Sequence, residues 1–348
     1  MVHPSRRPSA RPWRPVGRAL ASGVLLSLLQ WVVEQTPLVQ SLTRGLAHLL
    51  FFAVSSGFGV PARLDGLDID GGVVRQAVTP NCLGLIAITV YLSALLAVRA
   101  DWACRWRGVR RDVPLLILTN GIRLCLLVVL AGISVWIVPV AHLVIFVALA
   151  PLVIMAIWGL WLTRDLRALP SYPVRFLGLV ALLLVPAIGV WWVVLRPYLA
   201  VVVFAVRVTL AGLFQMPIAD AGLVDDGFKR FLDLTLPGGG LRLELAARSL
   251  SLAPYLALVA ASPIPFVRRI RLSAIGIGLM CALQSIESIG LILLGASVPA
   301  LVSLGEAISD YLTLATGPFI WFLLAVPSGA WWAPPGPTAA SRSRSPSR

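Results

Sequence analysis

An all-α polytopic membrane protein is the fold class this sequence predicts, on three observations. Of 348 residues, 58% are hydrophobic and only 13% are charged, with a mean hydropathy of +0.89. Apolar runs approaching the roughly 20 residues needed to cross a bilayer recur along the chain. Short arginine clusters fall between those runs, which is how cytoplasmic loops are marked. The pattern gives about eight transmembrane helices in two repeats, each with an interfacial helix and a short extracytoplasmic β-hairpin. The formal charge of +14 belongs to those loops and forms no stripe for nucleic acid, so nucleic acid is excluded as a partner.

In chain order, residues 1–18 carry Arg6, Arg7, Arg11, Arg14 and Arg18 with prolines and no acid, and read as a cytoplasmic basic tail. Residues 19–33 form the first span. Glu34-Gln35-Thr36-Pro37 follows in place of a small-residue cleavage site, so this span is read as retained. In residues 38–58, Gln40, Arg44 and His48 recur every four residues, making one polar stripe on an apolar helix that lies in the interface. Residues 59–79 hold Asp65, Asp68, Asp70 and paired glycines, and read as a hairpin on the outer side.

The hairpin leads into Cys82. Pro80 and Asn81 predict a helix start with Asn81 as N-cap and Cys82 in the first turn of a helix over residues 83–98. Unpaired N–H groups and the positive dipole end there favour the thiolate, the nucleophilic form of the residue. The loop over residues 99–112 carries Arg99, Arg105, Arg107, Arg110 and Arg111 and is cytoplasmic, which puts Cys82 at the outer surface. The four cysteines, Cys82, Cys104, Cys125 and Cys281, show no spacing for a metal site or a disulfide framework.

The next span, residues 113–136, contains Arg123 about 15 Å from its cytoplasmic end. A charge so placed costs roughly 2.5–3.5 kcal/mol on insertion scales, and such a cost marks a functional group. Asn120 precedes it by three residues, on the same helix face. A regular helix would leave Arg123 about 20 Å below the outer end. Either the helix ends early, near residues 132–134, or the site sinks into the membrane. The span over residues 141–162 begins with His142, whose imidazole is placed to serve as general base or acid beside Cys82. Residues 174–195 then cross outward.

The second half follows the same plan. Residues 198–214 are a second amphipathic run, and residues 216–247 a second acidic, glycine-bearing segment with a hairpin over residues 234–245. Ser249 stands where Cys82 stood, before a span ending near Pro265. Arg268, Arg269 and Arg271 form the matching basic loop, and residues 272–294 and 305–326 complete the set. A position 160 residues beyond Arg123 is Leu283, and no histidine follows His142, so this half is read as degenerate and noncatalytic. Glu287 is its costly intramembrane group, with Arg123 as its expected partner. The division is residues 1–18, a cytoplasmic basic tail; 19–173, a catalytic repeat; 174–330, a degenerate repeat; and 331–348, a cytoplasmic Ser/Arg/Pro tail.

The acidic hairpin, Cys82-Leu83-Gly84-Leu85, the basic loop, Asn120-Gly121-Ile122-Arg123 and the later His142 together resemble the exosortase and archaeosortase family of membrane cysteine transpeptidases. The resemblance covers about residues 19–195. It departs from the usual pattern in Leu83, where a serine commonly follows the cysteine, and in lacking the acid-rich approach to it. It implies exported protein substrates with a carboxy-terminal motif, a hydrophobic helix and a basic cluster, cleaved at the outer face of a bacterial or archaeal cytoplasmic membrane. The new carboxyl end is then passed to an acceptor such as a membrane lipid. In that chemistry Cys82 attacks the scissile carbonyl, His142 protonates the departing amine and Arg123 steadies the oxyanion, with Asn120 and Asn81 in support and no metal or cofactor. The alternatives from other classes are a transporter, since repeats with intramembrane Arg and Glu also describe carriers, and a noncatalytic assembly factor for exported polymers.

Overall fold

The computed structural model describes residues 13–57, 63–70, 75–98, 100–133, 150–165, 173–218, 220–226, 229–236, 239–298 and 301–325. Within these the chain is a helical membrane protein. Three helices are long and apolar enough to cross a bilayer: Phe176–Gly212, Phe266–Ser297 and Val302–Leu324.

Helix α1 (Trp13–Glu34) is followed by α2 (Pro37–Phe52), which starts on the Thr36 cap and runs into a π turn, Ala53–Gly57. α2 buries Val39, Thr43, Ala47 and Leu50, while Gln40, Arg44 and His48 lie on exposed positions, as the four-residue stripe predicts. Leu38, Leu42 and Leu49 are also exposed, which suits a helix lying against lipid. Strands β1 (Arg63–Asp65), β2 (Asp68–Asp70) and β3 (Arg75–Ala77) form an antiparallel meander in which Leu64 pairs with Ile69 and Ile69 with Gln76. The expected hairpin is thus three-stranded. Ala47, Leu50, Ile69, Val78 and Leu124 form a small core beneath it, with Cys82 and Cys125 at its edge.

A 3-10 turn over Pro80–Leu83 leads to α3 (Leu85–Ala97), then α4 (Trp102–Ile133) and α5 (Ala150–Asp165). The basic loop expected over residues 99–112 is mostly helix. Hydropathy marks where lipid ends, whereas arginine is a good helix former, so α4 continues as an exposed, basic first third. α1 packs on α3: Thr89 donates to Gln30 Oε1 at 2.7 Å, and Gln30 donates on to Glu34 at 2.7 Å.

α6 (Pro173–Gly212) corrects a second expectation, because it runs unbroken through Pro186 and Pro197 where two elements separated near residue 196 were expected. Each proline forfeits a backbone hydrogen bond. Trp191, Leu195, Tyr198, Leu199, Val202, Val206 and Leu210 nonetheless form one buried stripe at helical spacing, and that packing holds the helix together. The second sheet, β4 (Asp220–Asp226), β5 (Lys229–Leu236) and β6 (Gly239–Glu244), is again a meander, its last turn at the predicted glycines. Then come the single-turn α7 (Ala246–Ser249), α8 (Leu252–Ala261), α9 (Phe266–Ser297) and α10 (Val302–Ala325).

The succession of sheet, single turn, short apolar helix, 32-residue helix and further helix therefore occurs twice. The register between the two is 164 residues. It relates the starts of α4 and α9, Trp102 and Phe266, and it relates Tyr91 to Tyr255. Both tyrosines are fully buried, and each rests against a glycine of the next helix, Gly108 and Gly276, where a Cβ would collide with the ring or its hydroxyl. Tyr91 donates to Asp112 and Tyr255 to the Leu272 carbonyl.

Candidate active site

Cys82 is held by a turn and not by an α-helix. Its N–H donates to the Thr79 carbonyl at 2.9 Å, closing the 3-10 turn. α3 begins only at Leu85, and its N-cap is Gly84, at φ +82°. The expectation of Asn81 as N-cap and Cys82 in the first helical turn is corrected accordingly. A left-handed residue at 84 interrupts the helical path, and glycine takes that conformation without steric cost. Asn81 lies inside the 3-10 turn. The Cys82 sulfur is half-buried and lies 3.7 Å from the Thr79 hydroxyl, with either atom able to donate.

α4 supplies the opposite wall. Asn120, 9% exposed, donates its side-chain N–H to the Cys82 carbonyl at 2.5 Å. Arg123, one turn further on, is near enough for the Cys82 sulfur to act on its guanidinium electrostatically. Asn120 and Arg123 thus share the face that predicts their partnership, and both meet the Cys82 turn. Gly84 is needed for a second reason: a Cβ there would lie 3.2 Å from the Asn120 side chain.

The depth difficulty resolves through α3. Thirteen residues rise only about 20 Å, short of the ~30 Å hydrocarbon layer, so the turn that carries Cys82 sits beside the middle of α4 and not level with its far end. α4 is described to Ile133; residues 134–149, and His142 with them, lie outside the described residues. Next to the turn is a cleft of about 790 Å³, open mouth included, bordered by Gly84, Asn120, Arg123, Leu126, Val153 and Leu314. It is apolar except at the Thr119, Asn120 and Arg123 end. An adjoining apolar cavity of about 670 Å³ shares Ile154 and Leu314 with it.

The counterpart region in the second half is built differently, and two expectations change. In the 164-residue register, Arg123 corresponds to Glu287 and not to Leu283, each lying 21 residues beyond the first residue of a 32-residue helix. Asn120 corresponds to Gln284, which likewise donates its amide to a backbone carbonyl, that of Leu245, at 3.0 Å. In the same register Ala246, not Ser249, answers to Cys82. Ser249 is fully engaged: it accepts from Trp191 Nε1 at 3.1 Å and donates to the Ala246 carbonyl at 2.8 Å. Glu287 pairs with Arg248 at 2.6 Å and not with Arg123, and the Ser309 hydroxyl donates to the same carboxylate. Arg248 also donates to the Glu244 carbonyl at 3.1 Å. Chain order alone offers no route to this pair. The signal that finds it is the common spacing of Arg123 and Glu287 from their helix starts.

Two further residues of the site, Thr79 and Gly84, escape the sequence reading. A Thr-Pro pair before a cysteine and a glycine two residues after it are the available cues. Among the described residues, no three His, Cys, Asp or Glu side chains gather as a metal site.

The fold and site define a helical membrane protein with a cysteine, an asparagine and an arginine from two elements at one cleft. Comparison of the chain with protein-family models, with curated proteins and with solved structures finds no match.

Proposed function

We propose that the protein is a membrane-embedded cysteine peptidase or transpeptidase of the exosortase kind, acting on the carboxy-terminal sorting signals of exported proteins. The observation that carries this reading is the meeting of Cys82 and Arg123 across a turn that Asn120 fixes, beside a cleft open enough for a peptide. On this reading the chain crosses the bacterial or archaeal cytoplasmic membrane about eight times, with both termini inside and the Cys82 turn reached from the outer side. Cys82 attacks the scissile carbonyl and forms a thioester as the C–N bond breaks. Arg123 steadies the oxyanion, and His142 gives the leaving amine its proton. A hydroxyl or amine acceptor, or water, then takes the acyl group and frees the thiol. The second half, with Arg248 and Glu287 neutralising each other, serves as a noncatalytic wall.

A carrier is the second reading, favoured by one observation. A polar cavity of about 340 Å³ lies beside Arg248, Glu287, Gln284, Tyr198, Thr313 and Thr316, among helices α6, α9 and α10. The test is to express Cys82→Ala and Cys82→Ser in cells that make a membrane-anchored protein ending in a motif, a hydrophobic helix and an arginine cluster. The peptidase reading predicts that the uncleaved form accumulates in both variants. Unchanged processing in Cys82→Ala overturns it.

A further inference from the structure

We infer that Thr79 is a positioning residue for the Cys82 sulfur, holding it as the acceptor of a hydroxyl hydrogen bond on the side of the turn away from the helical path. The inference deepens the cysteine-nucleophile reading and rests on it.

The argument starts from the backbone. Pro80 has its φ fixed by its ring, so the peptide between Thr79 and Cys82 has few conformations to lose. The Cys82 N–H to Thr79 carbonyl bond then closes the turn at 2.9 Å, and Asn120 fixes the carbonyl on the far side of Cys82. With both peptide ends of Cys82 held, its side chain retains one main freedom, rotation about χ1. The Thr79 hydroxyl, 3.7 Å from Sγ, selects among those rotamers.

The chemistry gives the contact a direction. Toward a neutral thiol either group can donate, and the bond is weak. Once the sulfur is a thiolate only Thr79 can donate, and a hydrogen bond to an ionised acceptor is about twice as strong as a neutral one. The contact therefore favours the reactive form and also aims it. Arg123 acts on the same sulfur electrostatically, so a hydroxyl and a guanidinium flank it. Ser249 in the second half shows the alternative arrangement: its hydroxyl turns back onto the Ala246 carbonyl and is capped by Trp191, leaving no free nucleophile.

The test is alkylation of the purified full-length protein by iodoacetamide across a pH series, followed by mass spectrometry of the Cys82 peptide. Cys104, 2% exposed, serves in every sample as the internal monitor of folding. Thr79→Val is expected to slow Cys82 alkylation at neutral pH about fivefold, the worth of one net hydrogen bond. The gap should close at high pH, where every accessible thiol is ionised. Thr79→Ser should restore the wild-type profile, a rescue that mere loss of packing would not give. If Thr79→Val exposes Cys104, Thr79→Ala decides in its place. Superimposable wild-type and Thr79→Val or Thr79→Ala profiles overturn the inference, as does a Thr79→Ser profile that follows the valine or alanine variant. The assay uses no substrate, so its outcome is independent of whether Cys82→Ala still processes a sorting signal.

Discussion

The two halves of the molecule use one scaffold for opposite ends. In each, a three-stranded meander delivers the chain to a single turn, and a long helix presents an amide side chain to that turn, Asn120 in one half and Gln284 in the other. One helical turn further on stands a charge of opposite sign, Arg123 or Glu287. What differs is the residue opposite that charge. In the 164-residue register Gly84 answers to Arg248. The first half has no side chain there and leaves a cleft beside Arg123, whereas the second supplies a guanidinium that satisfies Glu287 internally. An intramembrane charge is tolerable when paired or when serving a ligand. The comparison teaches that this chain contains one of each.

The sharpest way to break the comparison is to unbalance the closed half. Arg248→Ala or Glu287→Ala leaves one buried charge without its partner and is expected to cost about 3–5 kcal/mol, read as loss of folded yield and of Tm in detergent. The paired replacement Arg248→Met with Glu287→Leu should recover most of that loss, since two apolar groups need no partner. A double variant as unstable as either single one would show that the pair does more than neutralise itself.

Removing the amide tests the open half. Asn120→Ala strips the half-buried Cys82 carbonyl of its donor, at an expected cost of about 1–3 kcal/mol. Because that bond fixes the turn, the alkylation rate of Cys82 should change in the same variant while Cys104 stays protected. Gln284→Ala should cost a similar amount and leave Cys82 alkylation at the wild-type rate.

The smallest effect is expected at Gly84. Alanine there pays the left-handed penalty, about 1–2 kcal/mol, and meets Asn120 at 3.2 Å. Gly66, also at positive φ but with open space around it, is the control: Gly66→Ala pays only the backbone part and leaves Cys82 alone. Thermal unfolding of the two variants side by side separates strain from close approach.

Much of this was legible in the residues, and the rest was not for physical reasons. Asn120 and Arg123 declared themselves because three residues bring two side chains to one helix face, and a lone charge in an apolar run is costly wherever the helix goes. The stripe of Gln40, Arg44 and His48 was readable on the same grounds. Helix limits were not, because hydropathy tracks solvent and not hydrogen bonding; the basic start of α4 and the passage of α6 through Pro197 follow from helix propensity and from the buried stripe around Trp191. The left-handed Gly84 was hidden because a glycine near a helix start has several uses. The partner of Glu287 was hidden because it lies on a different element, 39 residues away.

The most direct measurement is of the sulfur itself. Protein recovered from cells making a sorting-signal substrate should carry, on Cys82 and not on Cys104, Cys125 or Cys281, a substrate-derived acyl group that hydroxylamine releases. Mass spectrometry of the four cysteine peptides reads this out. Processing that continues in those cells while Cys82 stays unacylated and its alanine variant remains active would contradict the account.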